Sequence, residues 1–227
     1  MSALRRALAV FPLSALALTA PSAQAAEIRT LPCVPYASGE MSMPILGSGF
    51  TPGGFVRVST TTPANPTPSV FTSGQADAAG VFAKQAFPPL FANFRSNQQS
   101  YLLVGTDLTN PSAPIQTAPF PFEVVRFGTT TNPRNPRRPT TRVSYTARGF
   151  TPGKPIYMHF RFAGKTRRTV SLGVASAPCG IASRRMRALP TRARYGRWRA
   201  FTSQSKRFSV NTKPMWVNEF TIYRRYL

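Results

Sequence analysis

The chain has 227 residues and a formal net charge of +23 at pH 7, from 29 Lys and Arg against six Asp and Glu. Its 23 Pro and 15 Gly interrupt long helices, and no stretch has a clear 3.6-residue apolar period. The N-terminal run is the one long apolar stretch, so the composition excludes an integral membrane protein. With a single His and scattered acids, the sequence indicates no metal site and no cofactor.

Residues 1–25 are predicted to form a secretory signal peptide. Arg5 and Arg6 precede the apolar run 7–20 and an Ala-x-Ala cleavage pattern at 23–25, and this order is typical of an export signal. The alternative is a short membrane-anchoring helix, although the run is too short to span a bilayer. The arginine pair also fits twin-arginine export, so the route stays open. We expect a secreted, extracellular or cell-envelope associated protein.

The pentapeptide GFTPG occurs at Gly49–Gly53 and again at Gly149–Gly153, one domain length apart. This recurrence indicates an internal repeat. Thr-Pro-Gly suits a type II turn, because Pro presets φ at the second position and Gly accepts the positive φ at the third. We therefore predict that each copy joins two strands of a half-buried antiparallel sheet, with Phe50 and Phe150 as core anchors.

Alternating apolar residues predict further strands in both halves, at the spacing of a β-sandwich. In the first half the predicted strands are 41–50, 55–59, 69–75, 81–87, 101–105 and 120–127. In the second half they are 142–148, 156–162, 169–175, 196–202, 208–211 and 216–223. Asp77 begins the turn 77–80, where its carboxylate is expected to bond the local backbone.

The motifs at 47–53 and 76–82 resemble immunoglobulin-like modules common in exported proteins of high-GC bacteria, and those at 149–157 and 178–180 resemble a partner module. The resemblance implies an all-β fold with two consecutive immunoglobulin-like antiparallel β-sandwich domains after the signal peptide, and no particular activity. We assign 26–128 to domain 1 and 141–227 to domain 2. The stretch 129–140, rich in Thr, Pro and Arg, is predicted to be an extended linker.

The Asp-x-x-Gly turn of the first half is similar to one in the enediyne-binding apoproteins. That resemblance implies an alternative function, in which an apolar cleft in domain 1 binds a small ligand. Phe82, Phe87 and Phe91 are the residues expected near the mouth of such a cleft.

Charge differs sharply between the two halves. Up to residue 128 the predicted mature chain has five basic and five acidic residues, whereas the remainder has 22 basic residues and one acid, Glu219. This asymmetry indicates an anionic partner for domain 2. The densest segment is predicted to be a loop that binds a polyanion through guanidinium groups and stacked rings. Its candidate residues are Arg184, Arg185, Arg187, Arg192, Arg194, Tyr195, Arg197, Trp198 and Arg199.

The expected partner is an anionic cell-wall polymer, an acidic polysaccharide, an anionic lipid surface or extracellular DNA. The alternative is a basic surface that is only solvated and reflects the composition of a GC-rich genome, which favours Arg, Pro and Ala. That alternative explains why Arg outnumbers Lys by 24 to five. It does not explain why Asp and Glu are nearly absent from the second half but not from the first.

Catalytic patterns are weak. His159 is the only histidine, and strand alternation places it on the polar face of its strand as a surface residue. Ser203–Lys206 fits S-x-x-K but lacks the accompanying motifs, so we interpret it as a coincidence in a strand-edge loop. The sequence therefore predicts no enzyme, because a hydrolase would need an acid/base pair that it does not show.

Cys33 and Cys179 are an even pair in a chain predicted to reach an oxidising compartment, which favours a disulfide. Because 146 residues separate them, the bond would tie the start of domain 1 to a loop of domain 2. It would close a loop worth about 4 to 5 kcal/mol in chain entropy. Free thiols or intermolecular bridges are the alternatives.

Overall fold

The structure is a computed structural model that describes residues 25–36, 42–91, 93, 95–134, 136, 138–189 and 194–223. Within this part of the chain there are sixteen β-strands and no helix. No described helix is therefore available to cross a membrane. The predicted signal peptide lies, apart from Ala25, outside the described residues.

The first nine strands form one β-sandwich. They are β1 (Glu27–Arg29), β2 (Cys33–Tyr36), β3 (Met43–Ser48), β4 (Phe55–Thr62), β5 (Asn65–Gln75), β6 (Phe82–Ala86), β7 (Gln98–Asp107), β8 (Ile115–Gln116) and β9 (Phe120–Arg126). One sheet has the order β1-β3-β6 and the other the order β2-β9-β7-β4-β5, with β8 paired to β7. Strand β2 runs parallel to β9.

The remaining strands form the second sandwich. They are β10 (Gly128–Asn132), β11 (Arg142–Arg148), β12 (Pro155–Phe162), β13 (Lys165–Val174), β14 (Ala182–Arg187), β15 (Gly196–Ser203) and β16 (Met215–Ile222). Its sheets have the orders β10-β11-β14 and β13-β12-β15-β16. The predicted strand 208–211 is not a strand, because it lies in a loop that covers the outer face of β12 and β15.

The two sandwiches repeat one topology. Strands β3, β4, β5, β6, β7 and β9 of the first occupy the places of β11, β12, β13, β14, β15 and β16 in the second. In the first sandwich the chain crosses between the facing sheets after β3, β5 and β6, and in the second after β11, β13 and β14, in the manner of an immunoglobulin-like fold. The predicted fold class, two consecutive antiparallel β-sandwiches of this type, is therefore confirmed.

Two separate apolar clusters fill the sandwiches, and each takes side chains from both of its sheets. The inward positions alternate along the strands, as in β11, where Val143, Tyr145 and Ala147 are buried. The outward positions of the same strand are therefore free to carry polar and charged side chains.

Each GFTPG copy forms a tight turn whose phenylalanine anchors the core. Gly53 and Gly153 have φ values of 70° and 76°. The Gly54 N–H donates to the Thr51 carbonyl at 2.8 Å, which completes the type II turn that Thr-Pro-Gly predicts. The phenylalanine of each copy is buried.

The turn does not join neighbouring strands, so that part of the prediction was wrong. Strands β3 and β4 belong to facing sheets, and so do β11 and β12. A buried phenylalanine before the turn favours this crossing, because its ring lies between the layers while the chain passes from one to the other.

A polar side chain holds each turn from the opposite strand. In the first sandwich the buried Asp107 carboxylate accepts hydrogen bonds from Thr51 N–H at 2.7 Å and from Thr109 N–H and Oγ1. Burial raises the pKa of Asp107, but these hydrogen bonds outweigh burial and lower the pKa to about 2. In the second sandwich Gln204 holds Thr151 instead, accepting from its N–H at 3.1 Å and donating to its carbonyl at 2.7 Å.

A second pair of glycines shares the offset of the repeat. Phe50 N–H donates to the Gly80 carbonyl at 3.2 Å and Phe150 N–H to the Gly180 carbonyl at 3.4 Å. A Cβ on Gly80 would lie 2.3 Å from the Phe50 carbonyl oxygen, and one on Gly180 would lie 1.6 Å from that of Phe150. Only glycine allows this approach of main chain to main chain.

The sandwiches join directly, so the linker prediction was wrong for residues 129–132. β9 ends at Arg126 and β10 begins at Gly128, so Phe127 alone separates them. β10 pairs with β11 over its whole length. The Phe127 ring packs on Phe150 at 5.0 Å between ring centres and belongs to the second core.

A disulfide links the two sandwiches beside this junction. Cys33 on β2 and Cys179 in the turn before β14 have a Cα–Cα distance of 5.2 Å, and their sulfurs are bonded. The bond therefore holds the start of the first sandwich against a loop of the second.

We predict that Gly180→Ala destabilises the second sandwich far more than Gly153→Ala. Both glycines have positive φ, 60° and 76°, so both variants lose about 1 to 2 kcal/mol from backbone conformation. Only at position 180 does the new Cβ also meet main chain, while at position 153 nothing lies within 4 Å. Urea denaturation followed by tryptophan fluorescence reports this sandwich, because both tryptophans lie in it. Equal losses in the two variants would refute the close-approach explanation.

Candidate polyanion interface

The predicted arginine segment is not one loop. Arg184, Arg185 and Arg187 lie on β14, whereas Arg197 and Arg199 lie on β15, which belongs to the facing sheet. These side chains therefore serve different surfaces of the second sandwich. Arg192 lies outside the described residues, and Arg194 is exposed at the start of the turn into β15.

The two aromatic residues of the segment have different environments. Tyr195 is exposed and remains available for contact. Trp198 is buried in the core, where its ring packs on Phe162 and its Nε1–H donates to the Arg194 carbonyl at 2.9 Å. The prediction of Trp198 as a stacking contact was wrong, since strand alternation turns positions 198 and 200 inward.

The outer surface of the β10-β11-β14 sheet carries a continuous set of basic and hydroxyl side chains, which we name the arginine face. Its residues are Arg142, Arg148, Arg185, Arg187, Thr130, Ser144, Thr146 and Ser183. Arg142 lies directly opposite Arg187, and Arg185 lies opposite Ser144. Like charges opposite each other on adjacent strands are destabilising, so this arrangement costs the isolated fold some stability.

Hydroxyl groups form hydrogen bonds within the arginine face. Thr146 Oγ1 and Ser183 Oγ are 2.9 Å apart, and Arg148 Nη1 donates to Thr130 Oγ1 at 3.0 Å. Burial lowers the pKa of Arg148, which lies at the end nearest the first sandwich. Among the described residues of the second sandwich no carboxylate shares this face, because the one acidic side chain after residue 128 is Glu219 on the other sheet.

Arg142 and Arg148 were missed by the sequence reasoning, which followed local arginine density. The signal was present in the predicted strand 142–148, whose alternation leaves Arg142, Ser144, Thr146 and Arg148 on its polar side. Arg184 points away from the face to the sheet edge, where its Nη1 donates to the Ser171 carbonyl at 2.7 Å.

On the opposite sheet, Glu219 binds two arginines of the predicted set. Its carboxylate accepts hydrogen bonds from Arg197 and from Arg199 Nε, the latter at 2.7 Å. The hydrogen bond from Arg197, with the positive charge of both guanidinium groups, lowers the pKa of Glu219 despite partial desolvation. These two arginines are therefore partly neutralised, unlike those of the arginine face.

His159 is fully buried, so its prediction as a surface residue was wrong. The loop after β15 covers the outer face of β12, and Phe208 packs on the imidazole at 5.6 Å. Nδ1 lies 3.0 Å from Thr169 Oγ1, and Nε2 lies 3.0 Å from the Ser205 carbonyl. Burial lowers the pKa of His159, and the bond to Ser205 offsets only part of this effect.

His159 and Ser203 do not form a nucleophilic pair. Ser203 Oγ lies 3.4 Å from Nε2, but the Ser205 carbonyl can only accept, so Nε2 must carry the proton. A histidine that activates serine needs an unprotonated nitrogen at this point and a group that orients the other one. Here the other nitrogen, Nδ1, contacts the Thr169 hydroxyl, and no described carboxylate contacts the ring.

Other chemical candidates have structural roles. Asp77 accepts from Ala79 and Val81 N–H at 2.9 and 2.8 Å, the local bonding expected of a turn former. Among the described residues one group has the spacing of a metal site, Cys33, Glu123 and Cys179. Its cysteines are bonded to each other, so they offer no thiolate ligands.

The three phenylalanines of the small-ligand hypothesis do not share a cleft. Phe82 is buried in the core, Phe87 is exposed, and Phe91 packs on Tyr36 and has the Arg126 guanidinium over its ring. A surface cleft of about 290 Å³ does exist in the first sandwich, but Thr, Ser, Asn and Gln side chains line much of it. None of the three rings contributes to it.

No family model matches the chain, and no curated protein sequence matches it. Among solved structures, an activated Escherichia coli alpha-2-macroglobulin has 11% identity over 87% of this chain and 22% of its own, with a TM-score of 0.42. A tetra-tandem repeat from a large adhesion protein has 10% identity over 86% of this chain and 47% of its own, with a TM-score of 0.30. The human OSCAR ligand-binding domain has 12% identity, coverages of 87% and 96%, and a TM-score of 0.33.

This chain thus spans less than half of the length of the first two structures. At these identities and TM-scores the comparisons carry no argument about function. The class of protein is defined by its own strand pairing: a tandem immunoglobulin-like β-sandwich protein with a neutral first and a basic second sandwich.

We predict that the pKa of His159 in the folded protein lies below its ordinary value of 6.5, because burial disfavours the charged imidazolium. Because the unfolded chain binds a proton there and the folded chain resists it, stability falls as the pH drops below about 6.5. The single histidine gives one set of imidazole NMR signals, which should titrate near 6.5 in urea and clearly lower in the native state. A native titration near 6.5 would contradict this burial.

Proposed function

We propose that this chain is a non-catalytic exported or cell-surface binding protein whose second sandwich holds an anionic polymer. The first sandwich, with five basic and five acidic residues, serves as a spacer or scaffold. The expected partner is an anionic cell-wall polymer, an acidic polysaccharide, DNA outside the cell or an anionic lipid surface. All of them present repeated negative charge to a protein surface.

The arginine face is the observation that carries this proposal. It places Arg142, Arg185 and Arg187 together, without a carboxylate from the described part of the second sandwich, although Arg142 and Arg187 lie opposite each other on adjacent strands. An anion that bridges them removes this repulsion and uses the bidentate geometry of guanidinium. The stabilisation of the arginine face is therefore largest when a polyanion is bound.

The form of the face also fits a polymer. It lies on an open sheet surface, where Ser and Thr hydroxyls lie beside the arginines and add hydrogen-bond donors. Deep apolar pockets enclose small ligands, whereas an extended charged chain needs a series of exposed contacts. Tyr195 is a further exposed ring that can contact the polymer.

We predict that the protein is retained on a polyanion and that retention falls steeply with salt. Arg185→Gln with Arg187→Gln should shallow the slope of log affinity against log salt on DNA by about 2, because two phosphate contacts are lost. Arg167→Gln with Arg168→Gln is the matched control, since these exposed residues lie on β13 at the edge of the other sheet. The control should change the slope much less.

Purified wall polymer, an acidic polysaccharide, DNA and anionic vesicles are compared under the same salt series to identify the partner. If the unaltered protein passes every matrix at low salt, polyanion binding is refuted. If both double variants change the slope equally, binding is a general effect of net charge and the arginine face is not the site.

A further inference from the structure

A second basic site lies on the outer face of the β13-β12-β15-β16 sheet, away from the arginine face. A cavity of about 240 Å³ there is lined by Arg161, Ala163, Gly164, Arg197, Arg199 and Phe201. Pockets for drug-sized ligands measure about 300 to 1,000 Å³. This cavity therefore has room for one small chemical unit.

Strand register brings the three arginines together. Arg161 on β12 lies directly opposite Arg199 on β15, and Arg197 is two residues earlier on the same face. Glu219 binds both Arg197 and Arg199 and so orients their guanidinium groups. Three positive charges against one negative charge leave the site with an excess of two.

Arg161 has an unsatisfied donor at this site. Its guanidinium packs over Phe208 at 4.2 Å and lies 5.8 Å from the Phe201 ring centre. Its Nη2 donates to the Gly164 carbonyl. The Nε atom, however, is buried and has no hydrogen-bond partner. An anion in the cavity would instead offset the positive charge that the three guanidinium groups leave unbalanced.

The cavity also has an aromatic wall and an open entrance. Phe201 lines it, and a ring of this kind suits the apolar face of a pyranose. The turn between β12 and β13 forms one side, where a Cβ on Gly164 would meet nothing within 4 Å. The space beside Gly164 is therefore open, as access for a ligand requires.

We propose that this cavity binds a single anionic sugar residue, with its acidic group on Arg161 and Arg199 and its ring against Phe201. The inference rests on the proposed binding of an anionic polymer and names its repeating unit. The acidic group is a carboxylate in a uronic acid and a phosphate in a sugar phosphate. Both offer the oxygen acceptors that guanidinium groups bind.

Calorimetric titration of the full chain with short ligands tests this proposal apart from polymer retention. The probes are trigalacturonate, a hexose phosphate, the neutral control maltotriose and inorganic phosphate. We expect the trisaccharide or the hexose phosphate to bind, maltotriose not to bind, and inorganic phosphate to bind more weakly because it lacks the ring. The stronger of the two acidic probes identifies the source of the acidic group.

Two variants locate the site. Arg199→Gln should weaken binding at least tenfold, and its side chain is 56% exposed, so the fold is expected to tolerate it. Arg161→Lys keeps the charge but loses the planar guanidinium that can bind an acidic group through two hydrogen bonds, and should weaken binding similarly while thermal unfolding checks its fold. Arg167→Gln, on the exposed part of β13, is the control and should change affinity less than twofold.

The outcomes separate the two proposals. Retention on polymer without binding of any short acidic sugar overturns the cavity assignment and leaves the polymer proposal in place. Binding of a short acidic sugar without polymer retention overturns the polymer proposal and leaves the cavity assignment in place. Equal effects of Arg199→Gln and Arg167→Gln, or binding of maltotriose as strong as that of trigalacturonate, also overturn the cavity assignment.

Discussion

Everything in this fold depends on how the chain crosses from one sheet to the other at GFTPG. The crossing needs a phenylalanine in the core, a glycine with positive φ in the turn and a second glycine whose missing side chain lets two main-chain segments touch. Gly80 and Gly180 supply that second glycine with the same 100-residue offset as the pentapeptides. Since the crossing decides which strands share a sheet, it also decides which side chains appear together on the outer faces.

The junction between the sandwiches restrains how the two sandwiches lie relative to each other. Phe127 alone separates β9 from β10, yet its ring packs with Phe150 and Trp216 of the second sandwich. The same Phe150 begins the second crossing, and the Cys33–Cys179 disulfide lies beside it, since both line one pocket. Ring packing and a covalent bond together restrain rotation at the junction, so the arginine face is held in a defined orientation to the first sandwich.

Local patterns were enough to predict the all-β class, the repeat and most strands, because period-two alternation and Thr-Pro-Gly chemistry act within a few residues. They failed where distant segments decide the outcome. His159 looked solvent-facing because alternation cannot reveal that Phe208 covers it. Residues 129–132 looked like a spacer because their partner strand β11 lies beyond three prolines. The arginine segment looked like one site, although a loop between β14 and β15 sends its two ends to different sheets.

The two turns show that the second sandwich lacks acids even where the fold can use one. Asp107 holds the first turn through the Thr51 N–H, with a carboxylate stabilised enough to lower its pKa to about 2. Gln204 performs the matching task at Thr151 with a neutral amide. A genome composition that favours Arg codons would account for Arg in place of Lys, but it would not account for a neutral side chain at this structural position. The turn anchor of the second sandwich is therefore neutral, and Glu219 remains the one acidic side chain after residue 128, a distribution that keeps the net positive charge of this sandwich high.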